Sequence, residues 1–323
     1  MDLFGNTKQD LLNEYFIYWR KKGYPNYEKN NYNNKKEINN LINFNEKSIY
    51  KNKVLKQTMH SCGFLWTYFP HWVDVRYGKQ KTIRELWNDD EKLKELIKKT
   101  YDWELKFGSG YITTNRIRQN TKVYLSKQSV SNFRPTVSKF IYNQYGNKGI
   151  VWDMSCGWGG RLFGFLASNC KKYIGTEPSI KTFNGLIDLK NDFKLKDIEL
   201  FNIGSELYKP KKESLDLCFT SPPYFDTEKY SEEESQSYIK FETIEKWING
   251  FYKKTILNCF NGLKKGGYMI INIADTPKHK WIESETILIS ESLGFTLMDI
   301  LKLELSSISG NGAKYEPIFI FKK

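Results

Sequence analysis

The chain has 323 residues, with 50 Lys and Arg against 37 Asp and Glu, a formal charge of +13 at pH 7. That length holds one large domain or two modest ones. The positive excess favours nucleic acid over anionic membrane, since no apolar run approaches the roughly 20 residues a span needs; an AT-rich genome, which inflates lysine, is the competing source of the charge.

Residues 1–125 are aromatic, basic and Asn-rich and show no strand–helix alternation. They begin MDLFGNTKQD, without a basic-then-apolar signal segment, so a cytoplasmic location is expected. Residues 27–47 are low in complexity and suggest a mobile or loosely helical surface segment. The spacing of Leu86, Leu93, Leu96 and Ile97 predicts one amphipathic helix over 84–107. From 126 onward strands and helices alternate. Strands are expected at 149–155, 171–177, 198–204, 215–221 and 268–275, and helices at 161–168, 179–193, 245–263 and 284–294. A hairpin of 295–305 and 317–323 follows, across a turn at SISGNGAKYE. Repeated strand–helix units predict an α/β fold, a doubly wound sheet closed by an antiparallel hairpin. The expected division is a mainly helical or irregular accessory region, 1–125, and a catalytic domain, 126–323.

The stretch VWDMSCGWGG (151–160) reads as a strand end, a tight turn and a helix start, with Gly157, Gly159 and Gly160 admitting close backbone approach. Counting G-x-G-x-x-G from Gly157 puts Leu162 at the third glycine, which argues against a dinucleotide. Asp153 precedes the turn, and Glu177 ends the next strand within TEP. One carboxylate offers two acceptor oxygens to the vicinal hydroxyls of a ribose. Two readings stand here: a nucleoside ligand without pyrophosphate, such as S-adenosyl-L-methionine, or a plain strand–helix turn with Glu177 as a helix cap.

The strand 214–219 runs into Ser221-Pro222-Pro223-Tyr224. Proline has no N–H to continue a central ladder, so the strand must stop there in a stiff turn. In an open α/β sheet the carboxyl end of a strand is where ligands sit. A rigid corner with a hydroxyl and an aromatic ring suits a flat ligand.

Together these residues resemble the class I S-adenosylmethionine-dependent methyltransferases, and among them those that modify exocyclic amines of DNA bases, as in bacterial and phage modification methylases. The family's catalytic corner is matched by Ser221, Pro222, Pro223 and Tyr224. Its glycine motif is matched by DMSCGWGG, with Asp153, Ser155, Cys156 and Gly157; a Ser replaces the commoner Phe, and Trp158 is unusual. Its second acid corresponds to Glu177, followed by Pro178. Its aromatic-x-Pro cofactor motif is matched by Phe133, Arg134 and Pro135 in NFRPTVSKFIYNQY, and the loop with Asn202, Gly204 and Ser205 would border the adenine.

The resemblance implies methyl transfer from S-adenosyl-L-methionine to an amine of a flipped base. Ser221 and the Pro222 carbonyl would accept the two N–H hydrogens, and Tyr224 would stack on the base. Ser in the first position leans toward cytosine N4. Adenine N6, or an RNA base, is the alternative. Implied partners are DNA, double-stranded first, and a restriction nuclease or specificity subunit.

With no large insertion between the two motifs, sequence reading is expected of 1–125, with the loop 226–238. There Arg20, Lys21, Lys22, Arg76, Lys79, Lys81, Arg116 and Arg118 mix with Trp66, Tyr68, Trp72 and Tyr77, suiting phosphate contacts with stacking. An accessory domain with its aromatics packed inward is the other reading. The run Glu232-Glu233-Glu234 reads as a solvated helix face. No metal is expected: Cys62, Cys156, Cys170, Cys218 and Cys259 form no CxxC pair, and His60, Cys62 and His71 lack a fourth partner.

Overall fold

The computed structural model describes residues 7–125, 130–305 and 314–323. Eleven strands occur among them: β1 (Tyr50–Lys51), β2 (Val54–Leu55), β3 (Arg76–Tyr77), β4 (Ile150–Asp153), β5 (Lys172–Thr176), β6 (Ile198–Phe201), β7 (Leu215–Thr220), β8 (Glu228–Lys229), β9 (Leu263–Asn272), β10 (Thr296–Leu305) and β11 (Lys314–Lys322). All six residues of β7, LDLCFT, are buried, as a parallel strand covered on both faces requires.

The chain divides into two compact units. The larger holds Glu28–Phe69, Ser131–Thr227 and Ser231–Lys323; the smaller holds the described residues of Met1–Tyr27, Pro70–Val130 and Glu228–Tyr230. This division differs from one at residue 125, because 28–69 sits in the larger unit. There β2 extends the main sheet by pairing parallel with β10. The helix Asn34–Ile42, capped by the Asn33 side chain, ends on the ammonium of buried Lys139, which donates to the carbonyls of Leu41, Ile42 and Phe44 at 3.1, 2.8 and 2.7 Å. Trp158 packs on Trp66 and Phe69 of the same segment, with ring centroids 5.5 and 5.7 Å apart.

The larger unit is built on one sheet in the order β1-β2-β10-β11-β9-β7-β4-β5-β6. From β6 through β9 the neighbours are parallel, whereas β11 runs antiparallel to both β9 and β10. This is the doubly wound sheet with a terminal hairpin. The hairpin's turn falls mostly at 306–313, outside the described residues. The chain leaves β4 toward β5 and β6, then returns to lay β7 on the other side of β4. The order therefore reverses between β4 and β7, and a crevice opens at the carboxyl ends of strands at such a point.

The smaller unit is helical, with Trp19, Trp87, Leu93, Leu96, Ile97, Tyr101, Ile112 and Ile117 as its core. Beside the helices, β3 pairs antiparallel with β8. The helix expected over 84–107 is two helices, Ile83–Asn88 and Asp90–Phe107. Asp89 takes extended backbone angles and its carboxylate accepts the Lys92 N–H, so it starts a new helix instead of continuing the old one.

Candidate active site at the carboxyl edge of the sheet

The register Trp152↔Cys218 aligns β4 with β7, so both strands end at the same edge. Neighbouring strands lie about 4.8 Å apart. The glycine turn that begins at Met154 and the Ser221-Pro222-Pro223-Tyr224 corner are therefore adjacent.

The turn is shaped by residues below it. Gly157 and Gly159 hold φ of +53° and +72°, which side chains with a Cβ rarely adopt. At Gly160 a Cβ would lie 1.9 Å from the Phe133 carbonyl oxygen, so only glycine lets the Phe133-Arg134-Pro135 segment cross there. Buried Asn132 ties the two together: its amide donates to the Trp158 carbonyl at 2.7 Å and accepts the Gly160 N–H at 3.1 Å. Chain spacing carried no signal for that clamp. Arg134 reaches back to Gln57 Oε1 at 2.9 Å, and the Phe133 ring meets Phe219 edge-on at 5.4 Å.

Asp153 is fully buried, and its carboxylate serves the protein itself. Its Oδ2 accepts from Arg161 Nε at 2.9 Å and from the Tyr173 hydroxyl at 2.7 Å, while its Oδ1 accepts the Ser155 N–H at 3.3 Å. Arg161 also donates to the Ser155 carbonyl. Asp153 thus stands under the turn and does not face outward from it. Cys156 is buried, and its N–H is bonded to the Thr176 carbonyl at 3.0 Å. Burial pushes its thiol well above the usual range.

Glu177 ends β5 beside the turn. Its Oε2 accepts the Gly157 N–H and its Oε1 the Ser179 N–H, both at 3.0 Å, which leaves each oxygen a second lone pair. Burial pushes this carboxyl up to about 7, against the opposing pull of those two N–H groups. Pro178 lies partly exposed, and its carbonyl accepts from Asn202 Nδ2 at 3.1 Å and Ser235 Oγ at 2.9 Å.

Ser205 departs from the expected arrangement. It is buried and its hydroxyl shares a 2.8 Å hydrogen bond with Thr255, which turns it into the fold and away from the edge. The acidic run departs as well, since 231–236 is not helical. Glu233 accepts from Ser179 Oγ at 3.1 Å and from the Ile180 N–H at 2.9 Å, capping the helix Ile180–Asp192 right after Glu177.

At the second corner Pro222 is buried, whereas Ser221, Pro223 and Tyr224 are partly exposed. The Ser221 hydroxyl has no hydrogen bond to the described residues. Phe225 holds a left-handed φ of +50° and packs on Trp247 at 6.0 Å, which turns the chain sharply after Tyr224.

The cations and aromatics expected to read sequence are largely spent within their own units. Arg20 pairs with Asp90 at 2.5 Å, Arg76 with Glu85 at 2.6 Å, Lys81 with Asp89 at 3.4 Å and Arg116 with Glu104 at 2.9 Å. Arg118 lies over the Tyr27 ring at 3.8 Å. Trp66, Tyr68 and Trp72 are buried, while Lys21, Lys22 and Lys79 are exposed and Tyr77 partly so. Among the described residues no three His, Cys, Asp or Glu side chains form a metal-binding group, and no helix is long and apolar enough to cross a membrane.

Residues 215–323 match the N6_N4_Mtase family, described as DNA methylase. No curated protein matches the chain. Among solved structures it is similar to the N-methyltransferase NodS from Bradyrhizobium japonicum WM9, with 12% identity, 58% of this chain and 93% of that one covered, and a TM-score of 0.42. It is similar also to a SAM-dependent methyltransferase from Methanosarcina mazei, with 14% identity, 57% and 96% covered, and a TM-score of 0.40. A third is TYW2 of M. jannaschii, solved in complex with AdoMet, with 14% identity, 62% and 80% covered, and a TM-score of 0.40. At those scores the likenesses add nothing to what the strand order states. The sheet is doubly wound with an antiparallel terminal hairpin, and the segment from β7 to the end of β11 is the one that matches the DNA methylase family.

Proposed function

We propose that the protein transfers a methyl group from S-adenosyl-L-methionine to the exocyclic amine of a flipped DNA base, with cytosine N4 as the target. The observation that carries this reading is the β4–β7 register, which sets the glycine turn beside Ser221-Pro222-Pro223-Tyr224 at one sheet edge. The edge suits this cofactor: a buried carboxylate, Glu177, ends β5 beside the turn, where the ribose would lie, and the Gly157 N–H is bonded to it and not offered to a phosphate. Glu177 would accept the ribose hydroxyls, Phe133, Arg134 and Pro135 would flank the methionine part, and the backbone of Ser155 to Gly157 would line the turn. When bound, the cofactor supplies an electrophilic methyl whose bond to sulfur breaks with the electron pair left on sulfur, as S-adenosyl-L-homocysteine.

The chain's task is to make a poor nucleophile attack. The amine lone pair is delocalised into the base ring. The Ser221 hydroxyl and the Pro222 carbonyl each accept one N–H, which turns the lone pair out of conjugation and toward the methyl carbon. Proline at 222 and 223 keeps that pair of acceptors stiff, so nitrogen, carbon and sulfur stay in line. Tyr224 stacks on the base and offsets part of the few kcal/mol that flipping costs. Once the N–C bond has formed, the amine releases one proton to water, and no strong base is needed.

The test is incubation of mixed-sequence duplex DNA with methyl-labelled cofactor, followed by nucleoside analysis. Labelled N4-methylcytosine is expected. Label found only in N6-methyladenine moves the target to adenine, and label found only in RNA removes DNA from the assignment.

A further inference from the structure

β9 runs parallel to β7 with Ile271 level with Thr220, so the chain leaving β9 emerges at the edge where Ser221 begins its corner. That chain reads Asp275-Thr276-Pro277-Lys278-His279-Lys280-Trp281. Reciprocal backbone hydrogen bonds of 3.1 Å between Thr276 and His279 close it into a turn. The turn is fastened to the catalytic corner twice. Lys278 Nζ donates to Asp226 Oδ2 at 2.7 Å, and the His279 ring lies 5.8 Å from that of Phe225 and 5.9 Å from that of Trp281.

Two features set this turn apart from a plain connection. Trp281 is 39% exposed, although Phe225, which packs on the other side of the shared His279 ring, is buried, and exposed Lys280 has no ion pair with the described residues. Thr220 Oγ1, Asp226 Oδ1 and His279 Nε2 are buried without a hydrogen-bond partner among the described residues. Buried polar atoms normally find partners, so three orphans at one corner point to a polar ligand that completes it.

We propose that residues 276–281 form the surface that holds the DNA strand next to the flipped base. Lys280, with Lys278 once it exchanges Asp226 for phosphate, neutralises the backbone; Trp281 stacks on a base neighbouring the vacated position; His279 Nε2 meets a polar atom of the strand. This rests on the methyl-transfer reading above and adds to it a strand-holding element beside the reacting amine. A cation and an exposed ring are the combination that single-stranded or locally opened nucleic acid needs, since every base has a face to stack and every linkage a charge.

The experiment compares full-length wild type, Lys280→Gln, Trp281→Ala and Trp281→Phe for binding a fluorescently labelled duplex and for methyl transfer to it, between about 50 and 200 mM salt. Lys280→Gln should lower the slope of log affinity against log salt by about one. Trp281→Ala should weaken DNA binding by about tenfold, and Trp281→Phe should restore most of it. The loss falls on the KM for DNA more than on kcat, and cofactor affinity stays near the wild-type value. Unchanged binding and slope in every variant, while the wild type methylates DNA, overturn this surface and leave methyl transfer standing. No transfer by the wild type to any nucleic acid overturns the methyl-transfer reading, and this surface with it. The same losses seen on RNA alone overturn the assignment to DNA.

Discussion

The two corners that meet at the sheet edge are built in opposite ways. Around the glycine turn most polar groups are answered from within the protein: Asp153 by Arg161, Tyr173 and Ser155, Glu177 by Gly157 and Ser179, and Asn132 by Trp158 and Gly160. At the Ser221 corner Thr220, Asp226 and His279 each leave a buried atom unanswered, and Phe225 sits at a left-handed φ. A closed network fixes a turn before its ligand arrives, and a fixed turn loses little entropy on binding. An open corner instead keeps donors and acceptors for a partner that supplies the missing bonds. On the proposed function, one corner is preorganised for a small cofactor and the other awaits a nucleic acid.

Breaking the closed corner should have the largest effect. Gly160→Ala forces a methyl against the Phe133 carbonyl, a backbone atom that cannot swing aside. It should cost about 3 kcal/mol of unfolding free energy by chemical denaturation and abolish cofactor binding by calorimetry. Retained cofactor affinity would mean that the Phe133 segment does not cross the turn where the cofactor lies. Asn132→Ala comes next. Losing two buried hydrogen bonds and stranding the Gly160 N–H should cost about 2 kcal/mol and weaken cofactor binding by at least tenfold, with kcat at saturation less affected.

Smaller still is the effect of pH on Glu177. With its carboxyl pushed up to about 7 by burial, cofactor affinity should fall as pH drops from 8 to 6, because a protonated carboxyl is a poorer acceptor for ribose hydroxyls. In Glu177→Gln the affinity should be lower and flat across that range; a pH dependence that survives the substitution assigns it to another group. The same shift fixes the sign for stability. The native pKa lies above the ordinary value of 4.5 for a glutamate, so this carboxyl favours the folded state below about 4.5, and that contribution is lost as pH rises through about 7. The smallest change belongs to the open corner without its partner. Asp226→Asn removes a pair in which Lys278 is exposed and Asp226 partly buried, and should alter stability by less than about 1 kcal/mol, while DNA binding, measured by anisotropy, is unchanged or tighter because Lys278 is released.

What could be read from the chain was what repeats locally. β7 announces itself as a continuous apolar run stopped by Pro222, and the glycine turn by residues whose backbone angles exclude side chains. What could not be read depends on partners far along the chain. Lys139 holds carbonyls at Leu41 to Phe44, and Trp158 seats Trp66 and Phe69; neither contact has a periodicity, so composition alone joins 28–69 to its sequence neighbours and not to the sheet. Charge is hard to read for the same reason. Arg20, Arg76 and Arg116 are visible as cations, but Asp90, Glu85 and Glu104, which neutralise them, are indistinguishable in sequence from carboxylates facing water. Glu233 was hidden in an acidic run until the fold set it on the helix that follows Glu177.

The most direct test uses Ser221→Ala in the full chain, with labelled-methyl transfer to duplex DNA and cofactor affinity measured on the same preparation. Removing one acceptor of the amine should lower kcat by about 10²- to 10³-fold while cofactor affinity stays within about twofold of wild type. Undiminished transfer, or a parallel loss of cofactor binding, would contradict the account of an amine clamp facing a separately built cofactor turn.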